Sequence, residues 1–203
     1  MTVASIGLGA NLPSPAGSPA ETLAAAAERI ALLGDVVACS SLYSTSPVGY
    51  ANQPRFLNAA VVIETQLGPR DLLAALMAIE REFGRDRSGA IRNGPRALDL
   101  DILLYGDAII SEAGLEIPHP RLAEREFVLV PLAEIAPQAR DPRSGAGVKE
   151  LLERLQAGLH PNLHQTENEV VAIECSCWRA GRHRPDSGND GARAGAVAPP
   201  HHS

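Results

Sequence analysis

Ala97-Leu98-Asp99-Leu100-Asp101-Ile102-Leu103-Leu104-Tyr105 is the stretch on which the fold turns. Leu98, Leu100, Ile102 and Leu104 alternate with Asp99 and Asp101, and a period of two is the period of a strand. Working outward, Gly106-Asp107 follows as a turn, with a short return strand expected at Ala108 to Ile110. Upstream lies a polar, arginine-rich loop from Arg85 to Gly94. Before that, Gly68-Pro69 opens a helix whose apolar stripe is Leu72, Leu76, Ile79 and Phe83, and Gly84 closes it. Leu57 to Gln66 alternates as another strand. Ser44 to Pro54 is a loop, and Val36 to Tyr43 is a β-branched strand. Ser18-Pro19-Ala20-Glu21 has the form of a capping box with proline at the first helical position, and Gly34 is placed to close that helix. Thr2 to Leu8 alternates as the first strand. The order is β-α-β-β-α-β, the ferredoxin-like arrangement of the α+β class, with helices packed on one face of the sheet.

Further pieces follow at Pro118 to Glu124, Phe127 to Ala136 and a short helix around Val148 to Leu159. From about His160 the apolar periodicity stops. The chain is therefore expected to divide into a domain at 1–159 and a low-complexity, disordered tail at 160–203 that is dispensable for activity. A short strand within Glu169 to Cys175 is compatible with the pattern. The whole chain has 203 residues and a formal charge of −6, which argues against general nucleic-acid binding. No apolar run is long enough to span a membrane, and the N-terminus lacks the form of a signal peptide. Three cysteines, Cys39, Cys175 and Cys177, do not make a disulfide framework, so a cytoplasmic setting is expected. The spacing of Cys175-x-Cys177 is not that of a zinc site.

On a strand, Asp99 and Asp101 project from one face, ~6.5–7 Å apart. Such a pair suits Mg²⁺, which takes one or two carboxylates and completes its shell with phosphate oxygens and water. Arg81, Arg85, Arg87, Arg92 and Arg96 precede the pair, Arg121 and Arg125 follow it, and no acid lies between Arg87 and Arg96. Guanidinium forks bind phosphate oxygens bidentately. Together these features suit a Mg²⁺–nucleoside triphosphate, and there is no P-loop motif. His119, held between Pro118 and Pro120, is a candidate phosphate contact, as a charged donor or in proton transfer. Phe56 and Phe127 are two of only three phenylalanines. With Asn58 they are candidates for sandwiching and reading a flat heterocycle.

Three blocks carry a resemblance to a known family. They are Ile6-Gly7-Leu8-Gly9-Ala10-Asn11-Leu12; Ser41 to Gly49 with Gln53-Pro54-Arg55-Phe56-Leu57-Asn58-Ala59; and Gly94-Pro95-Arg96-Ala97-Leu98-Asp99-Leu100-Asp101-Ile102 with Pro118-His119. From Thr2 to Leu159 the chain resembles the 6-hydroxymethyl-7,8-dihydropterin pyrophosphokinases of folate biosynthesis. The resemblance implies transfer of the pyrophosphoryl group of ATP to the pterin hydroxymethyl oxygen, with AMP released. It implies that Asp99 and Asp101 hold two Mg²⁺ ions, and that Arg85 and Arg96 act on the phosphates. ATP contacts are implied for Glu80, Arg85, Arg87, Arg96, His119 and Arg125. Thr45, Val48, Phe56, Asn58, Asp99 and Phe127 are implied for the pterin. The partners implied are these two small molecules, with no nucleic acid and no membrane, and the enzyme is expected to be a monomer.

Asn93, Gly114 and Glu116 depart from residues seen in some family members, as do Ser46 and Pro120, and these departures bear on the adenosine pocket. A nucleotidyltransferase also places two strand aspartates beside a nucleotide, but the Gly-Ser motif expected near the first carboxylate is missing. A ferredoxin-like ligand-binding module needs no paired aspartates beside an arginine cluster.

Overall fold

The computed structural model describes residues 1–50, 52–85, 94–159 and 170–173. Its centre is β1 (Thr2–Ala10), which pairs antiparallel with β4 (Phe56–Thr65) along its whole length and with β5 (Asp99–Tyr105) on its other side. The strand order is β5-β1-β4-β3-β8, where β3 is Leu42–Thr45 and β8 is Val170–Ile173. β2 (Asp35–Cys39) also pairs with β4. The ferredoxin-like order is present, extended at one edge by β8.

Ala4, Ile6, Leu8 and Ala10 of β1 face α1 (Pro19–Ile30) and α2 (Pro69–Glu82). Leu23, Ile30, Leu72, Leu76 and Phe83 close the core on that side. The Ser18 capping box forms as expected: Ser18 N–H donates to Glu21 Oε2 at 2.7 Å, and Glu21 N–H donates to Ser18 Oγ. Gly84, with φ +83, follows the last turn of α2. Gly34 does not close α1, which ends at Ala31. A Cβ on Gly34 would lie 2.4 Å from the carbonyl oxygen of Glu64, so glycine is needed there to let the α1–β2 connection pass against β4.

The sheet is covered on both faces, not on one as expected. Leu129 and Leu132 of α3 (Glu126–Ile135), with Val148, Leu151 and Leu155 of α4 (Val148–Gln156), form a second core over Ala60, Leu103 and Leu104. The reason lies in β4, where Ala59 to Ile63 is apolar at every position and every side chain is buried. A strand buried on both faces is a continuous apolar run, not an alternating one.

The single strand expected over Val36 to Tyr43 is two. Between the pairs Cys39↔Val61 and Tyr43↔Asn58 the first strand takes four steps where β4 takes three. The extra residue is absorbed at Ser40, whose N–H donates to Ala60 O and whose Oγ accepts from Ala60 N–H, both at 2.9 Å. The bulge bends the chain before β3. The return strand expected at Ala108 to Ile110 is instead a separate hairpin, β6 (Ile110–Glu112) with β7 (Leu115–Ile117). β8 lies beyond the expected domain boundary at Leu159 and pairs antiparallel with β3. Cys175, Cys177 and the histidines after 159 lie outside the described residues.

Candidate active site

The face of the sheet under α3 and α4 carries a cleft of about 250 Å³. Its floor is β1, where Gly7 and Gly9 sit at successive positions on this face, between β4 and β5. Gly9 is flanked by Asn58 on one side and Asp99 on the other, and Gly7 by Ala60 and Asp101. A Cβ on Gly9 would lie 3.1 Å from Asn58 Oδ1, and one on Gly7 3.2 Å from Leu103 Cδ2. Two missing side chains thus open the groove that joins Asn58 to the aspartates. The sequence reading placed both glycines in a family block without a role. The signal available was glycine at i and i+2 of a strand.

Asp99 and Asp101 share the cleft face of β5, as expected, and their settings differ. Asp99 Oδ1 accepts a short hydrogen bond from Arg85 Nη1, and Arg96 Nε lies 3.2 Å from Asp99 Oδ2. Arg85 Nη1 also donates to Leu98 O at 2.8 Å and lies 3.2 Å from Glu80 Oε1. Glu80 is buried, and its Oε1 accepts from the Leu100 N–H at 2.9 Å. Glu80 and Arg85 therefore stand behind β5 and fix Asp99 and the strand that carries it, and neither lines the cleft.

Asp101 faces the cleft with 41% of its side-chain surface open. The surrounding walls still withhold enough water that burial, and then the Asp99 charge, push its carboxyl up to about 6. His119 Nε2 is 3.9 Å from Asp101 Oδ2, beyond hydrogen-bond range. Burial and then Arg125 push His119 down to about 4, so it is neutral at pH 7. Its Nδ1 accepts from the Arg121 N–H at 3.1 Å, which assigns the ring proton to Nε2. His119 is therefore a neutral donor facing Asp101, not the charged one considered from sequence.

The other end of the cleft carries two aromatic rings and a buried polar pair. Thr45, Val48, Phe56, Asn58 and Phe127, for which the resemblance implies pterin contacts, all line it. Asn58 Nδ2 donates to Thr45 Oγ1 at 2.7 Å, and both residues are buried. The Arg96 guanidinium lies 5.1 Å over the Phe56 ring, and Arg125 lies 5.5 Å over Phe127. Arg125 is the N-terminal cap position of α3. Burial first, and then Arg121, lower its pKa from the usual arginine value. Arg87, with Arg92 and Asn93, lies outside the described residues.

One residue beside the site stood in a family block but was given no role from the sequence. Asn11, buried at the end of β1, accepts the Arg96 N–H at 2.8 Å and donates to Gln53 Oε1 and Pro54 O, both at 3.0 Å. Its own N–H donates to Arg96 O. It thereby joins the segment carrying the aspartates to the loop beside Thr45 and Val48.

Two carboxylates and several guanidiniums share one groove with two phenylalanine rings, an arrangement suited to a group-transfer enzyme acting between a phosphate-bearing substrate and a flat ring. Residues 5–137 match the model of the 7,8-dihydro-6-hydroxymethylpterin-pyrophosphokinase family. The chain is 44% identical over 152 residues to the 2-amino-4-hydroxy-6-hydroxymethyldihydropteridine pyrophosphokinase of Synechocystis, covering 74% of each chain. It is 45% identical to the enzyme of the same name from Pseudomonas aeruginosa over 72% of this chain and 88% of that one. The Methylorubrum extorquens enzyme is also 45% identical, over 76% and 94%. Among solved structures, a Plasmodium falciparum HPPK-DHPS superposes with a TM-score of 0.61 at 16% identity. That likeness covers 78% of this chain and 44% of the solved one, and it concerns the fold alone. The chain belongs to the 7,8-dihydro-6-hydroxymethylpterin-pyrophosphokinase family. It is an ATP-dependent diphosphotransferase of folate biosynthesis.

Proposed function

We propose that the cleft binds Mg²⁺–ATP at its aspartate end and 6-hydroxymethyl-7,8-dihydropterin at its Thr45–Asn58 end, and passes the pyrophosphoryl group from the first to the second. The observation that carries this reading is one continuous groove over Gly7 and Gly9, with Asp99 and Asp101 on one bank and Asn58 and Phe56 on the other.

The pair of carboxylates fits divalent cations. Asp101 shares the cleft face with Asp99, Arg125 and Arg96 offset that repulsion only in part, and its side chain is 41% open. No cluster of three or more metal-ligating side chains occurs among the described residues. Mg²⁺ takes one or two carboxylates and leaves the rest of its shell to water and phosphate. Two Mg²⁺ ions held by Asp99 and Asp101 would neutralise the triphosphate and bring its β-phosphorus into reach.

The chain's own residues do the rest. Phe56 and Phe127 hold the pterin ring, and the Asn58–Thr45 pair presents fixed polar atoms to its edge. Arg96 lies between the two ends, over Phe56 and beside Asp99, where it can meet the charge that develops on the α–β bridging oxygen as AMP leaves. Arg125 and His119 add donors on the α3 side, with Arg87 as a further ATP contact. Arg85 holds Asp99, and Glu80 anchors both; contacts of these two with ATP belong to the same proposal. The pterin hydroxyl oxygen attacks the β-phosphorus, forming the new P–O bond as the bond to the α-phosphate oxygen breaks. The hydroxyl proton leaves to solvent or phosphate. Positioning and charge stabilisation account for the catalysis.

The same reading has the enzyme as a cytoplasmic monomer. All groups it needs come from one chain, and no described helix is long and apolar enough to cross a membrane. Product analysis tests it: ATP, Mg²⁺ and the pterin should give AMP in step with pterin diphosphate, and none without pterin. ADP or free pyrophosphate as the product overturns the reaction class. Sedimentation at catalytic concentration tests the monomer.

A further inference from the structure

Without β8, β3 would be the edge of the sheet. β8 pairs with every residue of it: Ile173 with Leu42, Ala172 with Tyr43, Val171 with Ser44 and Val170 with Thr45. Ile173 packs against the core shared with α1 and α2, so the strand is seated by its side chain as well as its backbone. β8 also lies well past residue 137, where the match to the family model ends.

The strand it covers bears directly on the cleft. Thr45 is held from both sides, by Phe56 of β4 and by Val170 of β8. It is 2% exposed, and its Oγ1 is the acceptor for Asn58. Directly after Thr45 the chain leaves the sheet for the loop at 46–55, whose Ser46 and Val48 line the cleft. Arg55, at the far end of that loop, returns to its start: Nε donates to Ser44 Oγ and Nη1 to Ser46 Oγ, both at 2.9 Å. Ser44 is thus tied to Arg55 by its side chain and carbonyl and paired with Val171 in the ladder. The start of the loop is fixed from β4, from Arg55 and from β8.

We propose that Val170–Ile173 is a positioning element for the pterin end of the cleft, a strand that sets the backbone of Leu42–Thr45 and with it the direction of the 46–55 loop. The inference rests on the pterin reading above. It reverses the expectation that the chain after Leu159 is dispensable. With β8 gone, β3 keeps its partner in β4 but loses the outer ladder, and the loop start must be ordered when pterin binds. Ordering even one residue at that moment costs about a tenfold loss of affinity. The aspartate end, across β1 from β3, keeps all its contacts.

The test compares the full chain, a chain ending at Leu159, and Val170→Pro in the full chain, which removes a backbone donor beside Thr45. Dihydropterin binding is followed by fluorescence, Mg²⁺–ATP binding is measured separately, and KM and kcat are taken for each substrate. The expected result is a dihydropterin Kd and KM raised about tenfold in both altered chains, with Mg²⁺–ATP affinity within about twofold of the full chain. A folded chain ending at Leu159 with unchanged dihydropterin Kd and KM overturns the proposal. If that chain does not fold, Val170→Pro decides, and unchanged dihydropterin binding there overturns it. Equal losses for both substrates also overturn it, because they mean general destabilisation. A full chain that binds no dihydropterin overturns the pterin reading itself, and this inference with it.

Discussion

The two ends of the cleft are built on opposite principles. At the Thr45–Asn58 end, polar groups are buried and satisfy one another: Asn58 Nδ2 to Thr45 Oγ1 at 2.7 Å, with Phe56 8% exposed beside them. At the aspartate end, like charges are held together. Asp99 is neutralised by Arg85 and Arg96, while Asp101 has no arginine salt-bridge partner among the described residues and stays 41% open. One end is finished before a ligand arrives, and the other is finished by the ligand. A neutral ring can enter a preformed slot at little cost, because nothing in the slot needs to be recharged. A polyanion with its cations needs a site whose charge is unbalanced without it, and such imbalance is unfavourable to the fold.

The sharpest way to break this contrast is at Asp101. Asp101→Asn removes half of the carboxylate pair and should lower kcat by orders of magnitude, as should Asp99→Ala. The two should part in stability. Asp101→Asn relieves a repulsion from Asp99 that the fold otherwise carries, so its thermal midpoint should stay level or rise. Asp99→Ala strips the partner from Arg85, whose side chain is only 16% exposed, and its midpoint should fall. Turnover near wild type in either variant removes the metal assignment. Next in size comes Arg96→Ala, expected to cost ~10²–10³-fold in kcat if the guanidinium serves charge in the transition state. Because Arg96 also covers Phe56, its pterin KM should rise as well. A loss confined to pterin KM would move Arg96 wholly to the ring end.

What could be read in the sequence follows the range over which each feature is decided. The capping box at Ser18 and the common face of Asp99 and Asp101 depend on residues within a few positions, and both are as expected, as is the β-α-β-β-α-β succession that implied the sheet order. The family blocks carried Thr45, Val48, Phe56 and Asn58, the scarcity of phenylalanine drew attention to Phe127, and all five line one cleft. Features decided between distant segments were not legible. Ser40 breaks a strand because its Oγ reaches the backbone of Ala60, 20 residues on. Asn11 serves partners 42 to 85 residues away. The second helical layer depends on where the connections after β5 lead, although Ala59 to Ile63, apolar without interruption, did hint at a strand with no wet face. A short strand within Glu169 to Cys175 was legible and is β8, but its partner β3, far earlier in the chain, was not.

At the ring end the expected effects are smaller and fall on one substrate. Asn58→Ala leaves Thr45 Oγ1 without its donor in a buried site, a loss of ~1–3 kcal/mol. Some of that falls on stability and the rest on recognition, so dihydropterin KM should rise ~10-fold or more with Mg²⁺–ATP affinity little changed. Asn58→Ser retains a donor but not the reach. It should recover stability before it recovers KM. Equal weakening of both substrates would mean that the two ends are not separable and that the contrast drawn above is wrong.

The smallest effect should come from Tyr43, on the same strand as Thr45 but outside the cleft. Its hydroxyl donates to Glu134 Oε2 at 2.9 Å, and Glu134 also takes the N–H and hydroxyl of Ser41, which ties β3 to α3. Burial and then Glu134 push the phenol up to about 12, above its ordinary value near 10. The folded chain thus holds this proton more tightly than the unfolded chain does. The stabilisation is complete below about pH 10 and is lost as pH rises through 12. Tyr43→Phe should therefore lower stability at neutral pH by about 1 kcal/mol or less and blunt the loss above pH 10. The dihydropterin KM should stay within about twofold, because two other hydrogen bonds to Glu134 remain and Thr45 keeps both its strands. Denaturation at pH 7 and 11, run beside the pterin KM, checks it. A large rise in KM would show that the ring end is held less rigidly than its buried hydrogen bond implies, and that α3 sets its geometry through Glu134.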